Sequence, residues 1–215
     1  MMMPSLAKKL ILGAFALILS LGPTDAEEFD SIERAIAKGS VDDVKAHLEK
    51  HPDQIHKGSG SYTPLELAVL RKKDEVVKLL LKKGADPNTV DASQRTPLHM
   101  AIERNSPEIV TALMKEGANP DLLDKDGWTP LHHAAAKNQL ETSKALIAGG
   151  AKPDARSKRG GTPLHEAAAS GGKELIEFLL GKGIDPSIKS KDGVTALDIA
   201  REYKNEAAIE ILSKS

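Results

Sequence analysis

Histidines are the residues of this chain whose type and spacing first suggest chemistry. His99, His132 and His165 follow one another at one constant interval, and His133 adjoins the second of them. An array of imidazoles is typical of metal binding or proton transfer, because each ring offers a ligand nitrogen and titrates near neutral pH. Each of the three, however, stands fourth in a segment that begins with threonine. A repeated structural unit therefore accounts for them without a shared site.

Other catalytic patterns are missing from the sequence. By spacing, His133 has no second ligand nearby, and adjacent carboxylates such as Asp42 and Asp43 are typical of a solvated helix face. The chain contains no glycine-rich phosphate loop, no serine-centred elbow and no H-E-x-x-H segment. We therefore expect a protein that is not an enzyme and that holds neither a cofactor nor a metal.

The composition excludes further classes of site. With 30 basic and 31 acidic residues among 215, the net charge of −1 offers no general attraction for a nucleic acid, and no such partner is expected. The absence of cysteine excludes disulfides and thiolate sites. Aromatic residues make up only 3% of the chain, which favours a core of aliphatic side chains in regular layers.

The N-terminal segment, 1–26, resembles a secretory signal peptide. Two lysines precede an apolar run from Leu10 to Leu21, and Gly22-Pro23 then leads to small residues before Glu27. The run is short for a membrane span, which needs about 20 apolar residues. We expect cleavage just before Glu27, a periplasmic or secreted protein, and no membrane association once the signal is removed. An uncleaved membrane anchor is the alternative.

Two motif series with one period organise the rest of the chain. Thr-Pro-Leu begins at Thr63 and recurs at Thr96, Thr129 and Thr162, and Gly84 begins a second series with the same interval. Threonine before proline predicts a helix start, because its hydroxyl caps the first turn and proline needs no N–H there. Apolar residues at helical spacing then predict a second helix, which the glycine ends. A fixed period of 33 residues indicates stacked repeats.

The segment from Asp124 to Ala135, DKDGWTPLHHAA, resembles the pattern D-x-x-G-x-T-P-L-H-x-A-A of the ankyrin-repeat family. The resemblance implies an all-α solenoid of about six stacked helix-turn-helix units with projecting hairpin-like loops. It also implies that the first helices line a concave surface and that the repeated histidine is a structural hydrogen-bonding residue joining adjacent loops.

The expected organisation follows the period. After the signal peptide (1–26) we expect a degenerate N-terminal unit, four full repeats and a C-terminal capping repeat, with these bounds: 27–57, 58–90, 91–123, 124–156, 157–189 and 190–215.

Two departures from the repeat carry predictions. Thr142 and Ser143 replace aliphatic residues in the third full repeat, at a cost of about 1.5 kcal/mol or more for each fully buried site, so we expect the stack to open first around 138–150. A compensating hydrogen bond or partial exposure is the alternative. Gln94 replaces a loop glycine, which predicts a strained or altered turn.

A candidate binding surface emerges from positions that the repeat leaves variable. The residues that stand immediately before the repeated threonines include Trp128, the only tryptophan of the chain. Tyrosine, tryptophan and arginine are the residue types enriched in interface hot spots. Basic residues recur at the end of the first helices. The predicted surface, for a protein partner with acidic groups, comprises Tyr62, Arg71, Arg95, Arg104, Trp128 and Lys137. The alternative is that Trp128 packs on its neighbouring loop and the basic residues merely solvate the surface.

The sequence thus favours a monomeric, exported interaction scaffold that binds and modulates or stabilises another envelope protein. A secreted effector or inhibitor with an external target is the second hypothesis. An enzyme whose site no motif reveals is the third.

Overall fold

The computed structural model describes residues 31–57 and 61–215. The predicted signal peptide, residues 1–26, lies outside the described residues. Within those ranges no helix has the length and apolar character that crossing a membrane requires.

The described residues form twelve α-helices and one short 3-10 helix, with no strand among them. The all-α solenoid is therefore confirmed. The α-helices form six consecutive pairs, each with a first and a second helix. In chain order they are α1 (Ile32–Lys38), α2 (Val41–Lys50), α3 (Pro64–Leu70), α4 (Asp74–Lys82), α5 (Pro97–Glu103), α6 (Pro107–Lys115), α7 (Pro130–Ala136), α8 (Leu140–Ala148), α9 (Pro163–Ser170), α10 (Lys173–Gly181), α11 (Ala196–Glu202) and α12 (Glu206–Leu212). The 3-10 helix, Pro52–Ile55, follows α2.

The threonine of each repeat caps a first helix, as the sequence predicts. Thr63 and Thr129 accept a hydrogen bond from the backbone N–H three residues on. The third residue of each helix completes a capping box by accepting from the threonine N–H, and it is Glu66 in α3 and Asp198 in α11 but histidine in the three helices between. Local sequence therefore defines every first-helix start after the N-terminal pair.

Left-handed residues end most of the helices. Gly84 and its counterparts after α6, α8 and α10 have φ values between 84° and 106°, a conformation that favours glycine. Asn105 and Asn138 have φ values of 48° and 53° after their first helices. Gly171, at the corresponding place after α9, has φ −73° and is extended, because α9 continues to Ser170. The turn between α9 and α10 therefore differs from the others.

The helix pairs stack in chain order, first helix on first helix and second on second. Their apolar side chains form two clusters, one from Ile32 to Ala151 and the other from Ala135 to Leu212, which meet within the α7–α8 pair. First helices α7 and α9 contact each other most extensively, whereas α8 and α10 approach less closely than any other neighbouring second helices. The α7–α8 pair is therefore attached to its C-terminal neighbour mainly through first helices.

The hydroxyl residues of α8 lie where the two clusters meet. Thr142 and Ser143 are completely buried. Thr142 Oγ1 donates to Asn105 Oδ1 at 3.1 Å, and Ser143 Oγ donates to the carbonyl of Gln139 at 2.8 Å. The compensating hydrogen bonds that the sequence left as an alternative are present. The predicted early opening of 138–150 stays a prediction.

Candidate functional site

Three histidines connect neighbouring helix pairs through hydrogen bonds; we call His99, His132 and His165 the ladder histidines. The backbone N–H of the capping threonine donates to Nδ1 of each ring, so the proton of the neutral ring is on Nε2. From there the rings donate to the carbonyls of Trp128, Gly161 and Val194 at 3.1–3.2 Å. The structural role that the resemblance implies for them is confirmed.

Burial keeps the ladder histidines neutral. Desolvation lowers the pKa of His99 and of His132 to about 4, and it lowers the pKa of His165 as well. Each ring is also engaged at both nitrogens, so none is available to transfer a proton at neutral pH.

His133 has a partner that spacing did not reveal. Its Nε2 lies 2.6 Å from Oδ2 of Asp124, nine residues earlier in the chain. The expectation that no ligand lies near His133 is therefore wrong, because the loop before α7 folds back onto the helix. Desolvation alone would raise the pKa of Asp124, but hydrogen bonds from the Trp128 N–H and from His133 hold it below its ordinary value.

Trp128 packs on the histidines of its own helix pair. Its ring centroid lies 5.0 Å from that of His133 and 6.4 Å from that of His132. The side chain is half-buried, so part of the ring remains accessible. Trp128 therefore packs within its own helix pair and still leaves part of its ring exposed to solvent.

The projecting loops hold the residues before each threonine in one row. The loop that ends at Arg95 is closed by a hydrogen bond from the Asp91 N–H to the Arg95 carbonyl, and the same bond recurs in the next three loops. Adjacent loops are joined by bonds such as that from Lys125 N–H to the Ser93 carbonyl. These bonds build the hairpin-like loops that were expected.

Arg95 is already paired within the chain. Its guanidinium donates two hydrogen bonds to Asp91 Oδ2, at 2.9 and 3.0 Å, and lies 3.8 Å from Glu103. The hydrogen bond to Asp91 raises the pKa of Arg95, and the charges of Asp91 and Glu103 add to this. The carboxylates of Asp91 and Glu103 thus leave Arg95 with little uncompensated charge. Tyr62 is 38% exposed.

Arg71, Arg104 and Lys137 occupy one equivalent position, the residue that follows α3, α5 and α7. All three side chains are exposed. Within the described part of the chain none of them forms an ion pair, in contrast to Arg95. They make a row of positive charge along the stack, which we call the basic row.

A half-buried carboxyl was missed from the sequence. Glu166 occupies the position in α9 that His133 has in α7, and burial raises its pKa to about 7. Its equivalents Leu67 and Ile199 are apolar, so its presence among aligned aliphatic residues was the signal that could have found it.

Comparison with known protein families gives a match over most of the chain. The family model described as ankyrin repeats in three copies matches residues 32–124, 65–157, 98–190 and 149–215. No curated protein matches the chain at a significant level.

Proposed function

Because the chain belongs to the ankyrin-repeat family, whose repeats indicate a protein–protein interaction scaffold, we propose that it is an exported, non-enzymatic scaffold for a partner with an acidic surface. Proteins of this family are typically non-enzymatic. In the proposal the partner is another envelope protein, which the scaffold modulates or stabilises in the periplasm.

The basic row is the observation that carries the proposal. Arg71, Arg104 and Lys137 present one positive charge per helix pair, each exposed and without a counter-ion among the described residues. A row of like charges attracts an acidic surface and steers it into register. The exposed part of Trp128 and the phenol of Tyr62 supply the apolar contact that charge alone lacks.

Arg95 has a different part in this surface. Since Asp91 already neutralises its guanidinium, Arg95 supports its own loop and adds little attraction of its own. We therefore assign the electrostatic contribution to the basic row and the contact area to Tyr62, Arg95 and Trp128.

Affinity capture from the envelope fraction of the source cells tests the surface. The full chain is compared with the triple variant Arg71→Ala, Arg104→Ala, Lys137→Ala. The matched control is Lys50→Ala, Lys82→Ala, Lys115→Ala, which removes the same charge from the exposed last residues of α2, α4 and α6. Circular dichroism and thermal unfolding establish that all three proteins fold equally.

The proposal would be supported by a protein that the wild type and the control retain and the basic-row variant does not. Added salt should weaken its retention. Equal retention by all three would overturn the assignment of the surface.

Cell fractionation with N-terminal sequencing of the exported chain tests the localisation. The lysines, short apolar run and small residues of 1–26 support export, with Glu27 as the expected new N-terminus. Recovery from the medium would instead favour the secreted effector or inhibitor, and a retained N-terminus would favour the membrane anchor.

A further inference from the structure

We propose that His99, Asp124 and His133 form a binding site for a divalent first-row transition metal ion such as Zn²⁺ or Ni²⁺. One ligand atom from each residue can be chosen so that all three atoms lie within 4.8 Å of one another. Two imidazoles and one carboxylate are a donor set that suits these ions.

The geometry needs only small side-chain adjustments. His133 Nε2 and Asp124 Oδ2 are 2.6 Å apart, and the His99 and His133 rings meet edge to face with centroids 5.5 Å apart. Metal–nitrogen and metal–oxygen bonds of about 2.0–2.2 Å place two ligand atoms of one ion somewhat more than 3 Å apart. The ion would therefore separate His133 from Asp124 slightly and draw His99 toward both.

The surrounding hydrogen bonds can support this donor set. Asp124 Oδ1 accepts from the N–H groups of Asp126 and Trp128, which orients the carboxylate and leaves Oδ2 for an ion. The His133 side chain is 22% exposed, so an ion and its remaining water ligands can reach the site from solvent.

Binding requires a shift of proton within the His99 ring. Metal-free His99 carries its proton on Nε2 and donates it to the Trp128 carbonyl. When the ion takes Nε2, the proton moves to Nδ1, where the hydroxyl of Thr96, 2.9 Å away, can accept its hydrogen bond. The bond from the Thr96 N–H to Nδ1 and the bond from Nε2 to the Trp128 carbonyl are then given up. His133 would bind through the same atom, Nε2, and would give up its hydrogen bond to Asp124 Oδ2.

The repeat itself does not demand this cluster. The three corresponding positions one pair later hold His132, Ser157 and Glu166, and one pair further they hold His165, Ser190 and Ile199. Only a single histidine recurs in all three sets. One pair earlier the positions hold Glu66, Asp91 and Met100, so the carboxylate also occurs there as a loop residue. The second histidine, His133, is the addition at the boundary between the α5–α6 and α7–α8 pairs, so an ion there would join two helix pairs.

The site is tested with metal alone and with Trp128 as the reporter. Trp128 is the only tryptophan of the chain, and its ring is 5.0 Å from His133. The full chain, carrying a tag without histidine, is titrated with Ni²⁺ for quenching of tryptophan fluorescence and with Zn²⁺ in a calorimeter for stoichiometry. We expect saturable quenching and one ion bound near Trp128.

Three variants separate this site from adventitious binding. His133→Leu places at 133 the residue found at the equivalent position 67, so the fold is retained, and affinity should fall by roughly tenfold or more with loss of quenching. Asp124→Ser, which introduces the residue found at the equivalent position 157, should weaken binding like His133→Leu. His51→Gln removes the surface pair with His47, whose ring centroid is 5.1 Å away, and should leave the quenching unchanged.

Absence of saturable quenching in the wild type would overturn the proposal. So would quenching that survives both His133→Leu and Asp124→Ser, or binding that disappears only in His51→Gln.

Discussion

The second helices α6 and α8 occupy equivalent places in neighbouring pairs but bury different atoms. Ile109 and Val110 of α6 are almost completely buried and belong to the larger apolar cluster. Thr142 and Ser143, at the corresponding positions of α8, are equally buried but polar. Equal burial at the two helices therefore does not mean equal apolar contact.

The difference shows how a repeat protein can vary along its length without losing its fold. The α8 hydroxyls satisfy their hydrogen bonds locally or with Asn105 of the preceding pair, so the helix forms normally. They contribute little to packing on α10, and the close approach of α7 and α9, where Ala135 belongs to the same apolar cluster as Ala167 and Ala168, holds that boundary instead. Stability in a stack is a sum of such neighbour terms, and one weak term is tolerated.

Acidification should produce the largest loss of stability and expose the contrast between α6 and α8. The pKa of His99 and of His132 is about 4 when folded, below the ordinary 6.5, so protonation favours the unfolded chain. The stability that these two histidines contribute is complete above pH 6.5 and is lost as the pH falls toward 4. The free energy of unfolding should fall by on the order of 3 kcal/mol for each histidine. Denaturant unfolding across this range measures the loss.

Glu166 has the opposite effect on the pH dependence of stability. Its pKa is raised from the ordinary 4.5 to about 7 in the folded chain, so folding becomes less favourable as the pH rises from 4.5 toward 7. The titration is therefore repeated with Glu166→Gln, where the acid loss should be larger. Hydrogen exchange at the lower pH should show α8 opening before α6. Unchanged stability between neutral and acid pH would contradict the role given to the ladder histidines.

Moving the hydroxyl pair to α6 should break the contrast. The double variant Ile109→Thr, Val110→Ser gives α6 the residues of α8, but Lys72 stands where Asn105 would be needed as a partner. Lost burial and a cavity predict a destabilisation of about 4 kcal/mol in denaturant unfolding. A cost below about 1 kcal/mol would mean that apolar contact at this position matters little.

Thr142→Val should reduce the contrast from the other side. The substitution exchanges a buried hydroxyl for a methyl group of similar shape and leaves Asn105, which is exposed, to water. We expect a gain of about 1 kcal/mol and slower hydrogen exchange across α8. Thr111→Val is the matched control, since Thr111 is exposed on α6 and should give no gain. Destabilisation by Thr142→Val would show that its hydrogen bond outweighs the added burial.

Gln94→Gly should have the smallest effect and serves as a reference remote from both helices. Gln94 has φ 58°, close to the 82° of Gly127 at the equivalent turn, so the predicted strain is present while the turn keeps its form. Glycine removes the strain but adds freedom to the unfolded chain, leaving a net gain of about 0.5 kcal/mol. Thermal unfolding should register it, and the relative exchange of α6 and α8 should not change.

Features governed by adjacent residues could be predicted from the sequence. Thr-Pro defines a helix start within one turn, and Gly84 ends a helix because of its own backbone freedom, so the period located both. The exception is Gly171, where the chain takes an extended conformation after a longer α9, although glycine also permits the left-handed turn.

Features that depend on loop closure could not be predicted. The contact between His133 and Asp124 spans nine residues, and Arg95 meets Asp91 only because the intervening turn closes. The exposed basic row, by contrast, follows from position alone, since each member is the residue after a first helix. Spacing therefore located the candidate surface but not the charges already neutralised within it.

The ladder histidines have a consequence for how this protein can evolve. They donate to backbone carbonyls, and every amino acid provides a carbonyl, so the ladder places no demand on the side chain at 128, 161 or 194. Tryptophan, glycine and valine at these positions already illustrate that tolerance. Mutations there can change what the surface recognises without removing the ladder hydrogen bonds, so new specificity can arise at a few loop positions.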